Sequence, residues 1–311
     1  MKKQIKLLVI FVVLIFALAG CGKKETPANS SDSGKDAATA TPAADEATPT
    51  EGQEDSGEPV SETLKKLRDQ GYITIGSSND APLSYVDVAT GEYTGVDGEI
   101  FKDLMNRLGV PEVRMKTVAF DSLLLELNNK SIDMVVDAMY IKPERQEIAL
   151  FTNVWYSEGD GLIVKKDSEI KGLDDLKDKN VAAQKGTAFL EIVQGWKDQG
   201  LIKTLTIMNS QAELMLAVNT GKVDACVTDS IIAGFSITQD SSLDLKLAEN
   251  YERASTGKIG AAVRFEDADF CKEVNDTLDA MKEDGSLMKY LEQYGMDASA
   301  FVSVEDGQTV Q

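Results

Sequence analysis

Two stretches of the chain repeat one pattern: LLLELNNKSIDMVVDAM at 123–139 and ELMLAVNTGKVDACVTDS at 213–230. Each reads as a short helix, an Asn, a polar turn, an apolar residue followed by Asp, and an apolar strand. Asn128 and Asp133 of the first fall on Asn219 and Asp224 of the second. A strand fed by a helix through a tight turn is the unit of an open α/β sheet. Two such units about 90 residues apart therefore predict two similar lobes with ligand-accessible strand ends. Helix-Asn-strand joints also recur in unrelated α/β chains, so the surroundings must support the repeat.

Working outward, the same alternation continues. A capped helix from Ser61, with Leu64 and Leu67 inward, precedes a strand at Tyr72-Ile73-Thr74-Ile75 that stops at Gly76. Ile100, Phe101, Leu104, Met105 and Leu108 share one face of a helix over 99–108, ended by Gly109. A helix near 121–129 leads into a strand from Ile132 to Met139. Later come a strand at Val181-Ala182-Ala183, a helix over 188–197 with Phe189, Ile192, Val193 and Trp196 inward, and a helix over 211–220 feeding a strand from Val223 to Val227. Helices near 269–284 and 286–294 close the body. Cys226 and Cys271 read as buried residues of different lobes.

The N-terminus is of another kind. Lys2, Lys3 and Lys6 precede an apolar run from Leu7 to Leu18, the pattern of a secretory leader over 1–20. That run ends in Leu18-Ala19-Gly20-Cys21, which resembles the lipobox of bacterial lipoproteins. The resemblance implies a diacylated Cys21, palmitate included, and hence a tether; the alternative is an ordinary signal with a chance cysteine. Residues 22–60 hold four of the seven prolines, nine acids, three lysines and no aromatic residue. Such a tract cannot bury enough surface to fold, so 21–60 reads as an extended linker.

Charge excludes several functions. The chain of 311 residues carries 52 acidic and 32 basic side chains, a net −20, with no basic stripe to hold a phosphate backbone. The leader's three lysines and the linker's net −6 leave −17 on residues 61–311. Without histidine there is no Ser-His-Asp triad, Cys-His pair or HExxH zinc site, and three cysteines are too few for a disulfide scaffold. No metal or organic cofactor motif is present.

From Tyr72 to about Gly295 the chain resembles the family 3 extracellular solute-binding proteins, which deliver amino acids and related solutes to ABC importers. The strings that carry the resemblance run in family order: GVDGEI (95–100), LNNKSIDMVVDAMYIKPERQEIALFT (127–152), VAAQKGT (181–187), KVDACVTDS (222–230), GKIGAAVR (257–264) and MKEDGSLMKYLEQYG (281–295). It implies an α/β clamp of the type II periplasmic-binding-protein kind, with a ligand cleft between two lobes. Crossings would fall near Ser157–Ile163 and Ser255–Ala261. The first lobe would comprise 61–163 and, with the C-terminal helices, 255–311; the second would be 164–254. It further implies a monomer tethered at the extracytoplasmic face of the cell membrane, an ABC permease as partner, and hinge closure around an amino acid or amino-acid-like zwitterion.

Site residues follow from the same likeness. Arg145 falls on the arginine that holds the ligand's α-carboxylate, a task suited to a planar guanidinium; the alternative is a surface ion pair with Glu144 or Glu147. Asp229 falls on the carboxylate that meets the α-ammonium, or else caps a helix beginning at Ser230. Gly186 and Thr187 stand where a strand meets a helix start and N–H groups attract an anion. Phe120 and Tyr140 either stack on the ligand or belong to the core. Asp80, Asp137 and Asp160 would add negative charge near the cleft, and two of them lining it would favour a ligand with an extra amine. Ala138-Met139-Tyr140 replaces the usual Gly-Met-Thr, and Ala188 a second Thr, so two hydroxyl contacts are lost or replaced, at Tyr140 and at Ala188. SSNDAPLSY (77–85), GVPEV (109–113) and MYIKPER (139–145) look more like the ectoine-binding branch than like the glutamine or histidine receptors.

A different class of function remains open on this fold. Periplasmic cyclohexadienyl dehydratases resemble these receptors and use cleft carboxylates as acids, for which Glu99 or Asp160 would be candidates. No residue pattern here ties to that chemistry, and the expectation is a binding protein rather than an enzyme.

Overall fold

The computed structural model describes residues 60–309. Helix α1 (Glu62–Gln70) starts at Ser61, whose hydroxyl accepts from the Leu64 N–H, and ends at Gly71 with φ +80°. Then follow β1 (Tyr72–Ser77), the small hairpin β2 (Tyr85–Val86) and β3 (Tyr93–Thr94), α2 (Val96–Arg107), β4 (Glu112–Thr117), α3 (Leu123–Asn128), β5 (Met134–Val135), α4 (Pro143–Gln146) and β6 (Leu150–Phe151). The long strand β7 (Tyr156–Lys165) leads to β8 (Asn180–Gln184), α5 (Ala188–Asp198), β9 (Thr204–Met208), α6 (Gln211–Asn219), β10 (Ala225–Asp229), α7 (Ser230–Gln239) and β11 (Leu245–Leu247). The chain returns through β12 (Thr256–Ile259) and β13 (Ala262–Val263) to α8 (Ala268–Glu283) and α9 (Ser286–Gln293).

Two sheets organise these elements. The first lobe carries β4-β1-β5-β13-β6, and the second carries β11-β7-β10-β8-β9. Period-two alternation puts a core on both faces of each sheet. In β8, Val181 and Ala183 face α5, while Ala182 joins Leu214 and Val218 of α6 in a separate cluster. In the first lobe, Ile73 and Ile75 face α1, α2 and α8, and α3 packs on the other side with Val135 and Phe151. The strand β7 changes partners along its length. Residues 156–159 pair with β12, and Asp160 onward pairs with β10 and β11. Cys226 and Cys271 are free and buried, one on β10 and the other on α8.

Element boundaries depart from the sequence reading where tertiary bonds intervene. The helix expected near 121–129 opens with a 3-10 turn at Phe120–Ser122 and becomes α-helical only from Leu123. The strand expected from Ile132 to Met139 is confined to Met134–Val135. Beyond it the backbone turns out of the sheet, with Ala138 at φ +45°, a conformation costly for a residue with a Cβ. A bond from the Ala138 N–H to Asp97 Oδ2 at 2.6 Å holds it there. Helix α2 begins at Val96, three residues before the expected start, and β10 runs to Asp229, two residues beyond the expected end. Ile192 is half-buried, unlike Phe189, Val193 and Trp196. The leader, Cys21 and nearly all of the 21–60 tract lie outside the described residues.

Candidate functional site

Between the lobes lies a cavity lined from both of them. The loop after β1 brings Asp80 and Leu83 to it, and the bend after β5 brings Asp137, Ala138 and Tyr140. Phe120 comes from the turn before α3, and Arg145 from α4. The second lobe adds Gln184, Thr187, Ala188, Phe189, Gln211, Asp229 and Ile232. Of the eight ligand-contact residues expected from sequence, seven line this space, and Gly186 stands just outside it.

Arg145 is buried, not paired on the surface. Its Nη1 donates to the Tyr140 carbonyl at 2.7 Å and its Nη2 to the Gly186 carbonyl at 2.9 Å. The guanidinium lies 5.4 Å from the Phe120 ring centroid. Two carbonyls take two of its five N–H groups and fix the plane of the fork. Glu144, the alternative partner, pairs with Lys142 instead. Burial lowers the Arg145 pKa from the usual arginine range.

Asp229 occupies the last position of β10, immediately before α7, yet makes no side-chain capping bond to that helix. Its carboxyl faces that of Glu158 on β7. Burial, and then the charge of Asp229, push Glu158 well above the usual carboxyl range; burial raises Asp229 as well. Of the two carboxyls, Glu158 is pushed up the further. Tyr140 donates its hydroxyl to Glu158 Oε1 at 2.6 Å and meets Phe189 edge to face, with centroids 5.7 Å apart. The Tyr140 ring fills the space where a Cβ on Gly257 would sit, so the return crossing at that point admits only glycine.

A second carboxyl pair lies across the cavity. Ser77 Oγ donates to Asp137 Oδ1 at 2.7 Å, and the Ser78 N–H donates to Asp137 Oδ2 at 2.9 Å. Ser78 Oγ lies 2.5 Å from Asp137 Oδ2 and 2.7 Å from Asp80 Oδ2. Burial, then the neighbouring Asp137, lift Asp80 to about 8, and burial lifts Asp137 to about 6.

Several expectations are corrected. Thr187 does not offer its polar atoms to an anion: its hydroxyl donates to the Gln184 carbonyl at 2.8 Å and accepts from the Leu190 N–H at 3.3 Å, as the N-cap of α5. Gly186, at φ +80°, contributes a carbonyl, and a Cβ there would meet Asp121 Cβ at 2.8 Å. Asp160 is absent from the cavity wall. Its Oδ1 accepts from the Ser255 N–H at 2.8 Å and its Oδ2 from the Tyr251 hydroxyl, which ties the two crossings together. Glu99 lies on α2 with Thr94 and Lys102, also outside the cavity, so neither candidate acid for dehydratase chemistry reaches it.

Gln184, Gln211 and Glu158 were not foreseen. Gln211 accepts from the Thr228 hydroxyl at 2.6 Å, and Gln184 is held by the Asn209 carbonyl at 3.3 Å. The available signal was a polar residue closing an apolar run, as at Gln184 after Val181-Ala182-Ala183. Among the described residues no group of three His, Cys, Asp or Glu side chains is arranged to hold a metal ion.

The lobes are closed on each other. Besides the bond from Arg145 to Gly186, Lys185 pairs with Asp121 at 2.8 Å, Lys142 pairs with Glu191, and Tyr85 meets Phe235 at 6.5 Å between centroids. The sequence pattern of the bacterial extracellular solute-binding proteins, family 3, matches residues 73–297. The chain belongs to this family. It is 28% identical over 284 residues to a glutamine-binding protein of Geobacillus stearothermophilus, covering 89% of this chain and 97% of the relative. Among solved family structures, an ancestral arginine-binding protein bound to arginine matches at 28% identity and TM-score 0.65, over 72% of this chain and 98% of that one. The ancestral amino acid-binding protein AncCDT-1, a precursor of cyclohexadienyl dehydratase, matches at 30% identity and TM-score 0.64, over 75% and 98%.

Proposed function

We propose that the chain is the solute-binding component of an ABC importer and that its interlobe cavity holds an amino acid. One observation carries this: a buried guanidinium from the first lobe and a buried carboxylate from the second, Arg145 and Asp229, converge on one enclosed space. An anion receptor facing a cation receptor fits a zwitterion. Arg145 receives the α-carboxylate through the N–H groups its carbonyl partners leave over, and Asp229 receives the α-ammonium. Phe120, Tyr140, Ala138 and Thr187 wall the space, Asp80 closes one end, and Gly186 lets the lobes approach. Relatives described as binding glutamine, arginine or amino acids support the ligand class.

The hinge lies where β7 changes partners at Asp160, which supports a first lobe of 61–163 and 255–311 and a second of 164–254. Among the described residues no helix is long and apolar enough to cross a membrane. A lipid on Cys21 and the acidic 21–60 tract supply the tether at the extracytoplasmic face, where a monomer presents its closed form to the permease.

The test is calorimetry with the twenty amino acids, preceded by a thermal-shift screen, since a ligand that binds only the folded state raises the melting temperature. Arg145→Ala and Asp229→Ala each lose about 2–5 kcal/mol of binding, the range for removing one partner of a buried charge pair. Either variant binding at wild-type affinity removes that residue from the site. Turnover of prephenate or arogenate by the wild-type protein would replace this reading with an enzymatic one.

A further inference from the structure

The cavity holds more acceptors than its own donors satisfy. Asp80, Asp137 and Asp229 line it against one cationic side chain, Arg145. Gln184, only 1% exposed, adds an amide oxygen with no hydrogen-bond partner, because its nitrogen is committed to Asn209. A buried acceptor without a donor costs free energy until something supplies one. The Ser78 hydroxyl makes the same point by counting. It has one hydrogen and lies within hydrogen-bond distance of both Asp80 and Asp137. Both contacts are hydrogen bonds only when one of the two carboxyls is protonated and donates back to the Ser78 oxygen.

We infer that the solute carries a cationic group in addition to its α-ammonium, and that this group displaces a proton held in the Asp80–Ser78–Asp137 cluster. The inference rests on the reading of the cavity as an amino-acid site and names the class of amino acid. In the empty protein at pH 7 the proton resides on Asp80, the more strongly raised of the pair. The groups facing the cluster enforce this. Asp229 of β10, with Glu158 of β7 behind it, adds negative charge from the second lobe. From the first lobe, Asp97 of α2 and the Tyr93 hydroxyl of β3 lie within reach of the Asp137 charge, which raises both, and Arg145 of α4 is the one positive side chain among the described residues of the wall.

When an ammonium or guanidinium arrives, its N–H replaces the carboxyl O–H. Asp80 becomes a carboxylate, the proton passes to solvent, and the net charge of the closed cavity is unchanged. A neutral side chain offers no such replacement and leaves Asp80 protonated. Asp80, Gln211 and Ile232 also line an adjoining chamber walled by Met215 and Phe235, which gives an aliphatic side chain apolar surface to lie on.

Calorimetry with L-arginine, L-lysine and L-glutamine at pH 6, 7 and 8, in phosphate and in Tris, counts the protons. A basic probe is expected to bind at pH 7 with release of about one proton. Its association constant should rise severalfold per pH unit from 6 to 8, the limit for one proton being about tenfold per unit. L-Glutamine should bind at least about tenfold more weakly. Asp80→Asn keeps the shape, removes the proton release and narrows the gap between basic and neutral probes to less than about threefold. Binding of a basic probe with no proton released, or L-glutamine binding as tightly as the basic probes, overturns the exchange and leaves the amino-acid reading standing. Failure of all twenty amino acids to bind overturns both. The proton count on the wild-type protein decides the matter even if Asp80→Asn does not fold.

Discussion

In the first lobe, Asp133 Oδ2 accepts from the Thr74 N–H at 3.0 Å while the Asp133 N–H donates to the Thr74 carbonyl at 2.7 Å. In the second lobe, Asp224 does the same with Asn180, at 2.7 and 2.9 Å. Asn128 reaches the Ile148 carbonyl at 3.3 Å, and Asn219 the Ser242 carbonyl at 3.2 Å. The repeated residues therefore pin a strand to its neighbour and a turn to the next loop, twice over. At the strand ends the likeness stops. The same spacing sets Asp137 against Thr228 and Ala138 against Asp229, so each repeat sends one carboxyl to the cavity from positions one residue apart. The first is held by two serines; the second faces the carboxyl of Glu158. Residues that pin the sheet are equivalent in the two lobes, and residues that face the cavity differ.

The most damaging way to test that equivalence is to remove the pinning carboxylates. Asp133→Ala and Asp224→Ala each take a charged acceptor from a backbone N–H, a loss of about 1.5–3 kcal/mol. Urea unfolding should show losses of similar size in the two variants. A large loss from one and none from the other would mean that the two units share a sequence pattern but not a structural role.

The strand ends predict opposite signs. Thr228→Val leaves the buried Gln211 oxygen without its donor and should cost about 1–2 kcal/mol. Asp137→Asn leaves a single acceptor oxygen for the Ser77 hydroxyl and Ser78 N–H, with an amide N–H2 in place of the other, and removes a carboxyl whose ionised form burial disfavours. With its pKa raised from 3.8 to about 6, Asp137 favours folding below pH 4 and loses that contribution as pH rises through 6. The wild-type protein should therefore lose stability between pH 4 and 6 in part through this group, and Asp137→Asn should flatten that stretch of the profile. An unchanged profile would mean that Asp137 keeps its ordinary titration in the folded chain.

The same division explains what sequence could reveal. Asn128, Asp133, Asn219 and Asp224 were legible because each acts within a helix-turn-strand unit, where spacing along the chain fixes spacing in space. Arg145 and Asp229 were legible through motif order and their positions at element ends. Gln184 and Glu158 were not, because their meaning depends on partners brought by other strands: Asn209 for the first, Tyr140 and Asp229 for the second. Asp160, expected to add negative charge near the cleft, instead turns its carboxyl toward the return crossing at Ser255, a contact made by residues 95 apart in the chain. Thr187 was misread as an anion contact because a strand-to-helix joint uses its polar atoms for capping before any ligand arrives.

The smallest expected difference is also the finest comparison of the two lobes. Asn128 makes one bond, from Nδ2 to the Ile148 carbonyl. Asn219 makes the equivalent bond to Ser242 and a second, in which its Oδ1 accepts from the Asp244 N–H at 2.8 Å and fastens the approach to β11. Exposed bonds of this kind contribute about 0.5–1 kcal/mol each. Asn128→Ala should therefore cost about one such increment and Asn219→Ala about two, with melting shifts of about 2–4 °C per kcal/mol in a chain of this size. Hydrogen exchange at the Asp244 amide separates the two contributions, since it should quicken in Asn219→Ala and stay as in wild type in Asn128→Ala. Equal melting losses with a still-protected Asp244 amide would show that the second lobe gains nothing from its extra bond, and that the Asn of the repeat serves both lobes through the turn contact alone.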